Sequence, residues 1–217
     1  MTSPSNVRGY ARELIAPAVR NLRIRFRRLW VRVALHRMSR NDLRDRLEFA
    51  YLVTDPWKLD SAKEHARFSA TNEHIQRAFG AELESILEIG SGEGLQSRYL
   101  ATLCRQLTGI EVSSRAVERA KVAVPTASFL AGDLLAQPWA GERHRFDVVV
   151  ACEVLYYLPD VPAALAAMRR LARRGCLVTY FVDEEERVGA FVRAVPGAQF
   201  AEIQAEGQTW IVAWWTT

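Results

Sequence analysis

The chain has 217 residues, a length that suits one domain with a modest extension. Its composition, 49% hydrophobic and 25% charged residues, excludes a disordered, collagen-like or coiled-coil protein. The net charge of +4 is uneven: residues 1–50 contain 12 Arg against 4 Asp or Glu, a balance of +8, so residues 51–217 carry −4. Positive charge is therefore concentrated toward one end of the chain.

The N-terminal segment MTSPSNVRGYARELIAP lacks the apolar stretch and cleavage site of a secretory signal. No run approaches the roughly 18 uninterrupted apolar residues that a membrane-spanning helix needs. The three cysteines (Cys104, Cys152 and Cys176) are scattered, and neither they nor the four histidines have metal-ligand spacing. We therefore expect a reduced, cytoplasmic protein without a metal site.

The Arg-rich N-terminal extension, residues 1–55, contains an imperfect amphipathic helix at residues 18–38. One side carries Val19, Leu22, Phe26, Leu29, Trp30 and Val33, and much of the remainder carries Arg20, Arg23, Arg27, Arg28 and Arg32. Such a helix can pack on the rest of the protein with its arginines in water. It can also lie on an anionic membrane, at the inner membrane face for a cytoplasmic protein, or bind nucleic acid. Nucleic acid is the least favoured partner because residues 51–217 are acidic overall.

Residues 56–83 form a second segment, and residues 60–79 within it predict a helix. Phe68, Ile75 and Phe79 recur at helical spacing, and Gly80 supplies a stop. We expect this segment to cover the site built by the following domain.

Residues 84–217 alternate short apolar runs with helical stretches. The strands are predicted at 85–89, 107–111, 127–131, 146–152 and 176–181, and the helices at 94–104, 114–122, 161–173 and 184–195. The final apolar runs flank Gly207 and predict an antiparallel hairpin. This alternation indicates a doubly wound α/β domain with a mostly parallel sheet.

The motif LEIGSGEG, residues 87–94, follows the first strand. Its glycines allow a tight turn and a close approach of the backbone to a ligand, and the N-terminus of the helix that follows favours a negatively charged group. A short Gly-rich turn is a weak signal by itself, because many nucleotide-binding folds and plain turns share it.

Acidic residues follow the next strands at corresponding positions. Glu111 ends the second strand, where a carboxylate can accept hydrogen bonds from both ribose hydroxyls, and Asp133 ends the third, where it can accept from an adenine amino group. Glu153 and Tyr156 follow the fourth strand. Each acid alone is explained by helix capping or solvation, but the series at the ends of successive parallel strands indicates a ligand site.

The motifs LEIGSGEG, GIEVS, GDLL and FDVVVACEVLYYL together resemble the ordered series of the class I S-adenosylmethionine-dependent methyltransferases. The resemblance implies their Rossmann-like, seven-stranded sheet with its last strand inserted antiparallel, and S-adenosyl-L-methionine as cofactor. It also implies that Glu88, Gly90 and Gly92 line the methionine part, that Glu111 takes the ribose and Asp133 the adenine, and that Cys152 and Glu153 form the floor beside the methyl group. Ser91, Val112 and Leu134 are the further cofactor-binding residues that it implies.

The run DPWKLDSAKEHARFSATNEHI is similar to a segment of the nodulation-type amine methyltransferases, the family of nodulation protein S. This resemblance implies that Trp57 and Arg67 close over the cofactor, with Arg67 on its carboxylate. The alternative is that Trp57 only anchors the helix and that Arg67 is solvated.

These resemblances imply transfer of a methyl group to an amino or hydroxyl group of a small molecule, a saccharide or a saccharide-containing intermediate. Glu153, Tyr156, Glu64 and His65 are the candidate catalytic residues, because they can hold the acceptor or remove its proton. Two alternatives remain: a nicotinamide-dependent oxidoreductase, disfavoured by the GxGxG spacing, and a nucleic-acid-binding or RNA-modifying protein on the same fold.

Overall fold

The computed structural model describes residues 26–27, 29–36, 43–137, 139 and 141–217. Of the amphipathic helix predicted at residues 18–38, positions 18–25, 28, 37 and 38 lie outside this part. Positions 26, 27 and 29–34 are helical and make up the described part of α1, and α2 follows at Leu43–Ala50. Within the described ranges, no helix combines the length and apolar character needed to cross a membrane.

A seven-stranded sheet forms the centre of residues 83–217. Its strands are β1 Leu83–Ile89, β2 Cys104–Glu111, β3 Ser128–Ala131, β4 Phe146–Cys152, β5 Ala172–Phe181, β6 Gln199–Ala205 and β7 Gln208–Thr216. They lie in the order β3-β2-β1-β4-β5-β7-β6. The first five strands are parallel, and β7 pairs antiparallel with both β5 and β6. The predicted doubly wound α/β fold with an antiparallel terminal hairpin is confirmed.

Helices cover both faces of the sheet, as the apolar central strands require. They are α3 Ala62–Phe79, α4 Ser97–Leu100, α5 Ser114–Ala123, α6 Val161–Leu171 and α7 Ala190–Arg193. Successive residues of a strand point to opposite faces. Ile86 of β1 therefore belongs to an apolar cluster with Ile75 of α3, whereas Leu87 belongs to a second cluster with Met168 of α6.

Two predicted helices are shorter than expected. Of residues 94–104, only Ser97–Leu100 is α-helical. Turns precede and follow this short helix. The helix predicted at 161–173 ends at Leu171, because the following residues enter β5, where Arg173 pairs with a carboxylate of β4.

The helix predicted at residues 184–195 is not one continuous α-helix. It consists of a 3₁₀ turn at Val182–Glu184, a π turn at Glu185–Gly189 and α7. The Glu185 carboxylate accepts hydrogen bonds from Tyr180 Oη at 2.8 Å and from Arg193 Nε at 2.7 Å. A Cβ at Gly189 would lie 2.3 Å from that carboxylate, so a side chain there would require the Glu185 carboxylate to shift.

Gly175 of β5 marks the closest approach between β5 and β7. A Cβ there would lie 2.2 Å from the carbonyl oxygen of Trp215 and 2.5 Å from Cε1 of Phe79. Gly175→Ala should lower the free energy of unfolding by about 1–3 kcal/mol, because the two strands must move apart. Urea denaturation measures this change. The control is Gly141→Ala, whose Cβ would meet no described atom within 4 Å. Equal urea midpoints for the two variants would contradict the expected clash.

Candidate functional site

The Gly-rich loop between β1 and α4 is shaped by its glycines. Gly90 donates its N–H to Ile110 O at 2.8 Å, which ties the loop to β2. Its φ is +71°, and a Cβ there would lie 2.4 Å from Val154 Cγ2. Gly92 also has a positive φ, +53°. Since α4 has only four residues, its helix dipole adds little charge, and the loop backbone is the main local anchor for a ligand.

A cavity of about 390 Å³ lies at the carboxyl edge of the sheet, beside this loop. Fourteen of the fifteen predicted site residues line it: Trp57, Glu64, Arg67, Glu88, Gly90, Ser91, Gly92, Glu111, Val112, Asp133, Leu134, Cys152, Glu153 and Tyr156. Those that end or follow β1 to β4 converge because the carboxyl ends of parallel strands meet at one edge, where open α/β sheets bind their ligands. Trp57, Glu64 and Arg67 come instead from the segment that covers this edge.

His65 is the one predicted site residue that the structure does not bring to the cavity. It lies one position from Glu64 on α3, so the two side chains point in different directions. Its Nδ1 lies 2.6 Å from Tyr99 Oη and its Nε2 lies 2.9 Å from Asp60 Oδ1. His65 is therefore not placed to act as a base at this cavity.

The two acids expected to hold ribose and adenine differ in their surroundings. Glu111 is buried, and its carboxylate accepts hydrogen bonds from the N–H groups of Gly92 at 3.1 Å and Ser113 at 3.0 Å. Burial raises the pKa of Glu111, although these N–H donors stabilise its charged form. Asp133 is exposed and accepts a hydrogen bond from Leu135 N at 2.7 Å, so it also caps the following 3₁₀ turn.

Arg67 is 1% exposed, so the alternative in which it is solvated is wrong. Its Nε donates to Glu64 Oε2 at 2.8 Å, its Nη1 donates to Gln96 Oε1 at 3.1 Å, and its guanidinium carbon lies 4.7 Å from the centre of the Phe68 ring. Burial alone would lower the pKa of Arg67, but the carboxylates of Glu153 and Glu64 raise it above its usual value. The cavity therefore contains a permanent cation.

Trp57 both lines the cavity and anchors the covering segment. Its Nε1 donates to Tyr157 Oη at 3.1 Å, and its ring centre lies 5.0 Å from that of Tyr51. The two roles that the sequence set as alternatives for Trp57 are thus compatible.

The lining of the cavity is strongly acidic. Its carboxyl groups belong to Glu64, Glu88, Glu111, Asp133, Glu153, Asp160 and Glu184, and Arg67 is the only Arg, Lys or His among the described lining residues. Burial raises the pKa of Glu88 to about 8, with Glu111 adding to the rise while Ser97 and Arg67 oppose it. A cationic ligand would be favoured in such a cavity, and a polyanion would be repelled. Among the residues that the structure describes, these acids included, no group of three or more His, Cys, Asp or Glu is placed to hold a metal ion.

Glu153 has an unusual backbone conformation for its residue type. Its φ is +57°, and its N–H donates to Thr179 O at 2.9 Å. Its carboxylate accepts hydrogen bonds from Thr179 Oγ1 at 3.0 Å and from Tyr156 Oη at 3.2 Å. Burial raises the pKa of Glu153 despite the opposing effects of Arg67 and these hydroxyls. Left-handed backbone in a residue other than glycine is concentrated at functional sites.

Sequence analysis missed the contribution of α2 to the cavity. Leu47 and Tyr51, at the spacing of one helical turn, both line it. Between them, Glu48 accepts hydrogen bonds from the hydroxyls of Ser113 and Ser114, immediately after β2. Part of the N-terminal extension thus forms a wall of the site. The spacing in the sequence could not reveal this role, because any amphipathic helix shares it.

Several other lining residues have no sequence signature. Gln208 and Trp210 come from β7, and Gln96 comes from the end of the Gly-rich loop. Gln96 Nε2 and Ser91 Oγ are buried polar atoms without a hydrogen-bond partner in the part of the protein that the structure describes. Buried polar groups normally have partners, so these two atoms mark places where a polar ligand fits.

Comparison with known proteins agrees with this geometry. The family described as "Methyltransferase domain" matches residues 87–179, from β1 into β5. Nodulation protein S of Bradyrhizobium diazoefficiens is 33% identical over 135 residues, which cover 62% of this chain and 64% of that protein. A ubiquinone biosynthesis O-methyltransferase of Aromatoleum aromaticum is 30% identical over 132 residues, covering 58% and 55%. The chain thus spans between half and two thirds of the length of these curated relatives.

A solved structure extends the comparison across the sheet. The crystal structure of N-methyltransferase NodS from Bradyrhizobium japonicum WM9 in complex with S-adenosyl-L-homocysteine has a TM-score of 0.63 and 25% sequence identity, covering 81% of this chain and 98% of that one. With the ordered motifs and the seven-stranded sheet, these matches support a class I S-adenosylmethionine-dependent methyltransferase that is similar to nodulation protein S.

Proposed function

We propose that the protein transfers a methyl group from S-adenosyl-L-methionine to an amino or hydroxyl group of a small molecule, a saccharide or a saccharide-containing intermediate. The observation that carries this proposal is the meeting of two sets of residues in one cavity. The Gly-rich loop, Glu111 and Asp133 suit the cofactor, and Glu153 and Tyr156 suit an acceptor.

The residues present fit the cofactor. Ser91 Oγ and Gln96 Nε2 are buried polar atoms still able to bond a ligand. Glu111 would hold the ribose, Asp133 the adenine amino group, and Arg67 the carboxylate. When bound, S-adenosyl-L-methionine supplies a methyl group on a sulfonium that is already activated for displacement. The protein therefore mainly has to orient the acceptor and exclude water.

Glu153 would hold and deprotonate the acceptor. Its raised pKa makes it a better proton acceptor than an ordinary carboxylate, and an amine must lose its proton before it can attack the methyl group. The Tyr156 hydroxyl, which donates to Glu153, would keep the carboxylate oriented. Cys152 lies beside them, but burial raises the pKa of its thiol to about 12, so it stays neutral and acts as a wall.

The acidic lining supports an amine over a phosphate-rich acceptor. Arg67 is the only cation among the described lining residues, and it is already paired with Glu64, so a nucleic acid strand would meet mostly carboxylates. Trp57, Tyr156 and Tyr157 offer aromatic faces that suit the apolar side of a sugar ring or a substrate cation.

A transfer assay with labelled cofactor tests the proposed function. The acceptor panel contains amino sugars, their N-acetylated forms, neutral sugars and transfer RNA. We expect label in a small acceptor with a free amino or hydroxyl group. Label found in the RNA and in no sugar would contradict the proposal.

Glu111→Ala should weaken the binding of S-adenosyl-L-homocysteine about 10- to 100-fold. The substitution removes charge-assisted hydrogen bonds of about 1.5–3 kcal/mol to the ribose. Isothermal titration calorimetry measures the affinity, and Glu118→Ala, an exposed acid of α5, is the matched control. If both variants bind as tightly as the unmodified protein, Glu111 does not hold the ribose.

Glu153→Gln and Tyr156→Phe should lower kcat far more than they weaken cofactor binding. We expect a loss of about 100-fold for Glu153→Gln, the usual size of a general-base contribution, and about 10-fold for Tyr156→Phe. Steady-state kinetics and calorimetry separate the two effects. Glu118→Gln and Tyr99→Phe, neither of which lines the cavity, are the controls. If both site variants keep the kcat of the unmodified protein, the acceptor does not bind beside Glu153 and Tyr156.

Tyr156→Phe should also change the pH profile. The Tyr156 hydroxyl lowers the pKa of Glu153 by donating to its charged form, so its removal raises that pKa further. The base form would then appear at higher pH, and the acid limb of kcat/KM should move to higher pH. If the acid limb of kcat/KM does not move, Tyr156 does not interact with the group that accepts the proton.

A further inference from the structure

An exposed apolar stripe runs along α1. Phe26, Leu29 and Val33 are 53%, 59% and 54% exposed. Their spacing of three and four residues places them on one face of the helix. This face stays exposed, whereas Ala34, which is fully buried, lies outside the stripe.

The stripe continues onto α2 and the turn after it. Trp30 stacks on Phe26 with ring centres 6.0 Å apart and on Phe49 with ring centres 4.7 Å apart. Phe49 and Leu52 are themselves 40% and 47% exposed. We call Phe26, Leu29, Val33, Phe49 and Leu52 the N-terminal apolar patch. These five are half of the ten exposed large apolar residues in the described chain, so exposed apolar side chains are concentrated in this part of the surface.

Positive charge accompanies this patch. Arg32 is exposed on α1, and the Arg27 side chain is 34% exposed even though it lies 3.7 Å from Asp55. In sequence, residues 1–50 carry +8, whereas residues 51–217 carry −4. An anionic surface would therefore attract this end of the chain.

We propose that the N-terminal apolar patch docks on an anionic phospholipid bilayer, with α1 lying in the plane of the interface. Half-exposed Phe, Leu and Val side chains gain free energy by entering the boundary between headgroups and acyl chains, while neighbouring arginines stay at the anionic headgroups. A nucleic acid would attract the arginines equally but would leave the apolar face in water. The proposal concerns location and does not rest on the proposed methyl transfer.

The test must use the full chain. Leu47 of α2 and Tyr51, which directly follows α2, line the cavity, so removal of residues 1–50 would damage the site together with the patch. We choose the triple variant Phe26→Ser, Leu29→Ser, Val33→Ser, which keeps every arginine. Its matched control is Val122→Ser with Phe191→Ser, two exposed apolar residues outside the patch.

Cosedimentation with vesicles measures docking. One set contains phosphatidylcholine alone, and the other contains roughly one third phosphatidylserine. We expect the unmodified chain and the control to bind the anionic vesicles. The affinity of the triple variant for them should fall by about tenfold or more. Binding should fall when NaCl rises from about 0.1 M to about 0.5 M, because salt screens the attraction. Unchanged affinity for S-adenosyl-L-homocysteine shows that the variants are folded.

Three results would overturn the proposal. The first is equal sedimentation of the triple variant and the unmodified chain. The second is failure of the unmodified chain to bind anionic vesicles while it forms a dimer, in light scattering, that the triple variant does not form; the patch would then contact a second copy. The third is binding to nucleic acid, unaffected by the triple substitution, without binding to vesicles.

Discussion

Arg67 is the charge on which the arrangement of the site depends. It is almost fully buried and is surrounded by carboxyl groups of Glu64 and Glu153. A buried ion is tolerated only when opposite charges and hydrogen bonds offset its lost hydration, and breaking such a pair costs about 3–5 kcal/mol. The covering helix α3, which carries both Glu64 and Arg67, is thereby fixed against the cavity, and the Gln96 side chain at the end of the Gly-rich loop is held by the same guanidinium.

The buried acids of the cavity lie in two places, which supports the proposal that the cavity binds both a cofactor and an acceptor. Glu88 and Glu111 lie on the strands beside the Gly-rich loop, whereas Glu153 follows β4 and is held by Thr179 of β5. Burial raises the pKa of each of these three carboxyl groups, so each favours a partner that brings positive charge or hydrogen-bond donors. Specificity would then follow from where the positive charge of a ligand lies rather than from its size alone.

Sequence patterns located the parts of the site that depend on strand ends, and they failed where tertiary packing decides. Glu111 and Glu153 could be found because parallel strands bring their carboxyl ends to one edge whatever the details of packing. His65 could not be separated from Glu64, because their orientation depends on how α3 is rotated against the sheet. Leu47 and Tyr51 were missed for a related reason: nothing in an amphipathic spacing states which surface the helix covers.

The N-terminal helices behave as one layer, and this has a thermodynamic consequence. Trp30 Nε1 of α1 donates to Ala50 O of α2 at 3.1 Å, and α2 presents Leu47 to the cavity. A displacement of α1 would therefore act on α2, which forms a wall of the cavity. If a surface holds α1 more tightly in one position of α2, linkage requires the cofactor to change the affinity for that surface by the same factor. Saturation with cofactor would then change the fraction of the protein that is bound to the surface, and binding to the surface would change the fraction that holds cofactor.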